Sequence, residues 1–206
     1  TYGRAFLQVM NLWTVDEKVR AFTLAKRLAD VAKRLADATG VRLYHDQALF
    51  KEPGGGHTPW HQDQFYWPLG TDRATTLWMP MIDVSETMGS MTFASGSHRA
   101  GFVPVPDQIS DASESFFDEH VREKGYPLET AGAMAAGDAT FHSGWTLHRA
   151  PGNPTDRTRE VMTVIYYPDG AEVIDPANEF QRNDLKTWLR GLPVGAPAAS
   201  ELNPLL

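Results

Sequence analysis

Leu24, Ala25, Leu28, Val31, Ala32 and Leu35 recur at helical spacing, with Lys26, Arg27, Asp30, Lys33 and Arg34 opposite them. Residues 14–40 are therefore predicted to be helical, one face packing a core and the other solvated. Thr14-Val15-Asp16-Glu17 has the form of a capping box, Gly40 supplies a C-terminal stop, and Phe22-Thr23 is a candidate break into two helices.

After Gly40 the period shortens. Val41, Leu43 and Leu49 fall on one alternating face of a predicted strand, which also carries Gln47 and ends at Lys51-Glu52-Pro53. Further strands are predicted at 75–84, 90–95, 138–142 and 159–167, with turns at Met88-Gly89, Gly96-Ser97, Gly137-Asp138 and Pro168-Asp169-Gly170. Residues 101–131 interrupt this texture as an insertion or lid, acidic (Asp107, Asp111, Glu114, Asp118, Glu119, Glu123, Glu129) and with a short helix expected over 113–124. The tail after Leu192 is rich in Pro and Ala and is expected to be irregular. Helix followed by many short strands predicts a mainly β fold, a sandwich or barrel with helices packed outside, in one domain spanning 1–206. The chain begins with Thr1, and a leading segment is expected before it.

Composition removes several classes of function. With 206 residues and a net charge of −7, and no basic run, the chain lacks the clustered cations that nucleic acids require. The absence of cysteine excludes disulfides, iron–sulfur clusters and thiolate zinc, so any metal must have nitrogen and oxygen ligands. No stretch of apolar residues is long enough for a membrane helix, and a cytoplasmic location is expected. Gly54-Gly55-Gly56 lacks the Gly-Lys-Ser/Thr ending of a phosphate loop.

The informative stretch is Thr58-Pro59-Trp60-His61-Gln62-Asp63-Gln64-Phe65-Tyr66-Trp67. In extended backbone, residues two apart share a side, so His61 and Asp63 offer an imidazole and a carboxylate to one point. A third ligand must come from elsewhere. His45 lies mid-strand, His57 in a glycine loop, His98 in a turn and His120 on the acidic helix, while His142 reads as a satisfied core or rim histidine. His148 follows a strand and the tight turn Ser143-Gly144-Trp145, and Arg159 comes eleven residues later. Two His and one carboxylate on one face leave room for a chelating 2-oxo acid and O₂, the preference of non-haem iron(II) oxygenases. The distal carboxylate of such an acid needs a fixed cation, and a planar guanidinium suits it. Arg159 opens a strand expected to lie beside that of His148; Arg157 is its rival by alternation, and Arg149 faces away.

These residues also carry a family resemblance. The run from Ala48 to Gly56 leading into Trp60-His61-Gln62-Asp63, with Gly96-Ser97-His98, Gly137-Asp138, and His148 through Asn153, Thr155, Asp156, Arg157 and Arg159, resembles the phytanoyl-CoA dioxygenase (PhyH) family over about residues 6–170. The resemblance implies a double-stranded β-helix (jelly roll, cupin-like), iron(II) on His61, Asp63 and His148, and 2-oxoglutarate on Arg159. It places Gln47, Gln62, Trp78 and Gln8 around the co-substrate. Ala150 stands where some members have Ser, which puts one hydrogen bond to the co-substrate in question. The family's usual opening segment, before about residue 6, is not represented. Related halogenases lack the carboxylate, so Asp63 points to hydroxylation.

The implied reaction hydroxylates a small organic molecule with O₂, releasing succinate and CO₂. Trp60, Gln64, Tyr66, Trp67 and Trp145 are candidate substrate-wall residues, suited to an apolar or ring-bearing substrate, although each aromatic residue also fits a core. Nothing basic suggests a CoA phosphate site. The alternatives are a non-oxidative cupin-like isomerase or lyase on the same metal site, which needs no arginine clamp, and a non-catalytic β-sandwich with a vestigial site. A repair oxygenase acting on nucleic acid would need a basic groove.

Overall fold

Antiparallel pairing organises the strands into two facing sheets. The structure, a computed structural model, describes residues 6–104 and 111–206; Asp107 of the acidic insertion lies outside them. The larger sheet has the order β1 (Leu7–Met10), β2 (Val41–Lys51), β9 (Arg159–Pro168), β4 (Thr75–Pro80) and β7 (Thr140–Ser143). The smaller runs β3 (Thr58–His61), β8 (His148–Ala150), β5 (Thr92–Ala94) and β6 (Leu128–Thr130). Both inner faces line one cavity, as expected of a double-stranded β-helix. Arg159 accordingly sits across from His148, in the opposite sheet, and not on a neighbouring strand.

The predicted helix divides into α1 (Glu17–Thr23) and α2 (Lys26–Leu35). The cap is Asp16 rather than Thr14: its carboxylate accepts from the amides of Lys18 and Val19, both at 2.9 Å. The stop is Asp37 rather than Gly40. Asp37 is left-handed (φ 46°), and its amide and that of Ala38 return to Arg34 and Lys33, so the last carbonyls are satisfied. Leu28, Ala29 and Ala32 form the buried face, one step round from the predicted stripe, leaving Val31 and Leu35 40% and 60% exposed. That face covers Val41, Leu43, Leu77, Val164 and Tyr166 on the outside of the large sheet.

Val41 and Leu43 do not share a face with Gln47 and Leu49. The register with β9 runs Leu43 to Tyr166 and then Asp46 to Val164, so Tyr44 and His45 together oppose Ile165. The extra residue is a bulge, and it reverses the alternation. Asp46 now faces the helices, fully buried, accepting from the amides of Leu12 and Trp13 and the hydroxyl of Thr23. His45, Gln47 and Leu49 face the cavity. The bulge is supported from the tail: Asn203, also fully buried, donates to the carbonyls of Leu43 (3.1 Å) and Tyr44 (3.2 Å). The tail thus lacks regular elements yet is docked, with Ala198 and Leu202 in the core.

The insertion carries α3 (Asp111–Lys124), which packs through Phe117 and Val121 on Trp60, Ala94 and Leu147 behind the small sheet. None of its described residues lines the cavity. A helix absent from the sequence reading, α4 (Glu179–Thr187), closes the cavity's other end. Among the described residues no helix is long and apolar enough to cross a membrane.

Candidate active site

His61 ends β3 and His148 opens β8, and the ladder sets them directly opposite each other, ring centroids 4.1 Å apart. Beyond His61 the strand gives way to a 3₁₀ turn over Asp63–Tyr66, whose first residue brings its carboxylate back towards the two rings. Asp63 Oδ1 lies 3.6 Å from Nε2 of each histidine. The candidate ligand atoms of His61, Asp63 and His148 all lie within 4.8 Å of one another.

The tautomers suit a metal. Nδ1 of His61 is 2.7 Å from the carbonyl of Pro59, and Nδ1 of His148 is 2.9 Å from that of Thr146. A carbonyl can only accept, so Nδ1 carries the proton and the Nε2 lone pair faces the cluster. Burial lowers both imidazoles below their ordinary range, favouring the neutral form that a metal needs. Burial raises Asp63, but His148, His142 and His61 lower it further, and the carboxyl stays well below its usual range.

Asp63 is held from behind. Its Oδ2 accepts from Thr76 Oγ1 at 2.8 Å and lies 3.2 Å from His142 Nε2, leaving Oδ1 for the cluster. His142 is therefore a supporting residue of the site, which its strand pattern alone does not reveal. Its Nδ1 is buried without a partner.

Across the cavity stands Arg159, only 2% exposed. Nη1 donates to the carbonyl of Gly89, and the guanidinium carbon lies 5.4 Å from the Trp78 ring centroid. Nε is buried without a partner, and no carboxylate pairs with this side chain among the described residues. Burial lowers it to about 10. Gly89 permits the approach: its φ is +79°, and a Cβ there would fall 3.1 Å from Arg159 Nη1 and 2.9 Å from the Pro151 carbonyl. Lys51, also fully buried, is satisfied by Gly56 O, Pro151 O and Thr58 Oγ1. Burial, and then Arg159, lowers it to about 7. An uncompensated buried guanidinium is costly, and a carboxylate from a ligand would supply the missing partner. The His–Asp–His donor set and this guanidinium, which lacks a counter-charge among the described residues and keeps Nε without a partner, fit a divalent metal and a 2-oxo acid.

The cavity, about 370 Å³, is lined by His61, Asp63, His148 and Arg159, with Gln8, Gln47, Trp78, Tyr66 and Trp67 from the sequence reading. Four expected residues lie elsewhere. Trp60, next to His61 on β3, points to the opposite face, where Arg149 stacks 4.6 Å over its ring and Asp118 accepts from its Nε1. Arg149 itself is held at 3.0 Å by Glu114 and 2.9 Å by Asp118. Gln62 is a brace: Nε2 donates to Gly101 O and Trp145 O, and Oε1 accepts from Val103 N. Gln64 is 1% exposed and packed beneath Gly144, and Trp145 leans on Phe102. Arg157 is exposed.

Sequence reasoning missed His45 and the α4 residues Phe180, Asn183 and Asp184, with Trp188 just beyond. A signal for α4 exists: Asn178 caps it by accepting from Gln181 N, while Gln181 Oε1 accepts from Ala177 N. Asn178 and Gln181 also donate to Phe65 O, tying α4 to the turn that begins with Asp63.

Two antiparallel sheets closed around a His–Asp–His cluster, with a lone buried arginine opposite, are the layout of cupin-like double-stranded β-helix enzymes that use 2-oxoglutarate. The family is more specific. The phytanoyl-CoA dioxygenase (PhyH) model matches residues 5–161, and the chain belongs to that family. It is 27% identical over 168 residues to phytanoyl-CoA dioxygenase domain-containing protein 1 of Danio rerio, covering 79% of this chain and 57% of that protein's length. Among solved structures it is similar to the non-haem alpha-ketoglutarate-dependent epimerase SnoN from nogalamycin biosynthesis, at 28% identity and a TM-score of 0.79 over 98% of this chain and 77% of that one. SnoN has also been solved with Fe3+, alpha ketoglutarate and nogalamycin RO. The carbocyclase SnoK from the same biosynthesis is similar at 26% identity and a TM-score of 0.77, over 98% and 76% of the two chains.

Proposed function

We propose that this chain is an iron(II)- and 2-oxoglutarate-dependent oxygenase that hydroxylates a small organic molecule, with succinate and CO₂ as co-products. The observation that carries the reading is Arg159, a buried guanidinium with a free Nε, on the same cavity as the three candidate ligands. A non-oxidative isomerase or lyase on the same site needs no 2-oxo acid clamp.

His61 Nε2, Asp63 Oδ1 and His148 Nε2 would hold the metal, with Thr76 and His142 keeping Asp63 Oδ2 turned away. Arg159 would orient the co-substrate's distal carboxylate by charge-assisted hydrogen bonds, with Trp78, Gln47 and Gln8 around its chain. Bound iron and 2-oxoglutarate would supply the O₂ activation and hydrogen abstraction. The protein's part is to hold the target C–H bond against the metal and to keep water out. Tyr66, Trp67, Trp188 and Phe180 wall the space left for the substrate, which suits a ring-bearing molecule. A cytoplasmic location belongs to this reading.

A second outcome has an observation in its favour. Two similar solved proteins are named as an epimerase and a carbocyclase, and epimerisation or ring closure can follow from the same hydrogen abstraction. Iron-dependent conversion of 2-oxoglutarate to succinate, followed by NMR with oxygen uptake, tests the shared part. Turnover that is stimulated by a ring-bearing substrate and abolished in His148→Ala supports it. Substrate conversion without succinate would favour the non-oxidative enzyme.

A further inference from the structure

The lining of the cavity contains few ionisable groups, and most have a task. Asp63 and the histidines around it form the metal end, Arg159 faces the co-substrate, and Arg149 is spent on Glu114 and Asp118. Among the described residues two groups remain, His45 on the β2 bulge and Asp184 on α4.

Asp184 accepts a hydrogen bond from the Tyr44 hydroxyl at 2.9 Å and takes part in no ion pair among the described residues. Burial raises its carboxyl to about 7, against the Tyr44 hydroxyl and the Trp188 side chain, which lower it. His45 is 2% exposed, and its Nδ1 is buried without a partner. Burial pushes that ring down to about 3, so it is neutral. Asn183 adds an amide, and Phe180, Tyr66 and Trp188 add aromatic rings. A carboxylate lacking a counter-charge, set among aromatic faces and neutral hydrogen-bonding groups, is the recognition chemistry of an ammonium. An anionic group here would meet like charge, and a purely apolar one would leave the Asp184 charge without a counter-ion and His45 Nδ1 without a partner.

We propose that the α4 end of the cavity is a subsite for a basic amine of the substrate, with Asp184 as its counter-ion and His45 and Asn183 as neutral flanking contacts. This rests on the preceding reading only in assigning Arg159 to the co-substrate, which leaves Asp184 to set the charge preference. All four residues of α4 and its end that line this subsite lie beyond residue 161, where the match to the family ends. His45 and Tyr66, within the match, complete the subsite from the other side.

The test uses three probes with one ring: N,N-dimethylbenzylamine, benzyl alcohol and phenylacetate. Each is titrated into the intact protein, with and without anaerobic iron(II) and 2-oxoglutarate, following tryptophan fluorescence from Trp67 and Trp188. The amine is expected to bind about tenfold or more tightly than phenylacetate, with the alcohol between them. Asp184→Asn should bring the three within about twofold, and Asp184→Ser repeats the test in case the amide variant does not fold. Equal or anion-favouring affinities, an amine preference that survives both variants, or no saturable amine binding at millimolar concentration would each overturn the subsite. If the amine preference holds and depends on Asp184 while 2-oxoglutarate fails to chelate iron, the oxygenase reading falls and the subsite stands. The reverse pattern removes the subsite alone.

Discussion

The two ends of the cavity are built on different principles. At the metal end part of the support is short in sequence: His61 and His148 each bond a carbonyl two residues back, and Asp63 lies two residues past His61, while His142 reaches Asp63 across 79 positions. At the α4 end they are long. Tyr44 reaches Asp184 across 140 positions, Gln181 reaches Phe65 across 116, and Asn203 reaches Leu43 across 160. A short motif can specify half of a metal site, because His61 and Asp63 meet locally, while the fold brings in His148 and His142. A substrate wall is assembled from whatever the fold brings together, and it can change without disturbing the chemistry.

The largest effect should come from breaking the metal end. His148→Ala removes a candidate ligand and should abolish iron binding and succinate formation, measured as a loss of about a thousandfold or more in turnover. His142→Phe keeps an aromatic ring but leaves Asp63 Oδ2 with Thr76 as its remaining partner, and should weaken iron affinity by about 10–100-fold in a competition titration. Asn203→Ala attacks the far end. It strands the carbonyls at the β2 bulge and should cost roughly 1–3 kcal/mol in urea unfolding. Iron affinity should stay within about twofold.

Asp184 gives the smallest effect, and its sign can be worked out. A carboxyl raised to about 7 in the folded protein binds protons more readily than in the unfolded chain. Its contribution is therefore fully present below the unfolded value near 4 and is lost as pH rises towards 7. Asp184→Asn should lack that slope. At pH 8 it should exceed the wild type in stability by roughly 1–2 kcal/mol, after discounting for solvent contact. No difference between pH 4 and 8 would mean that Asp184 is solvated as an ordinary surface carboxylate.

This contrast also explains what the sequence discloses. His61, Asp63, His148 and Arg159 are legible because their residue types at that spacing have few other uses. The β2 face departs from simple alternation because a bulge at Tyr44–His45 reverses it, and nothing in the apolar pattern marks the bulge. Trp60 faces away from the cavity because its neighbour His61 occupies that face. Gln62 and Gln64 depart from the strand alternation because the strand ends at His61 and a 3₁₀ turn redirects the side chains. His142 looks like a core residue until β7 sets its ring 4.5 Å from that of His148. The Asn178 cap is legible as a helix start, but the polar face of α4 gives no hint that it lines a cavity.

The central claim is that one cavity presents a metal triad and a separate carboxylate clamp. Anaerobic titration with iron(II) and then 2-oxoglutarate, watching for the visible charge-transfer band of the chelate, addresses it most directly. The account predicts the band in the wild type and, in Arg159→Ala, retained iron with 2-oxoglutarate affinity reduced by about 100-fold or more. Iron binding without chelation in the wild type, or an unchanged band in Arg159→Ala, would contradict it.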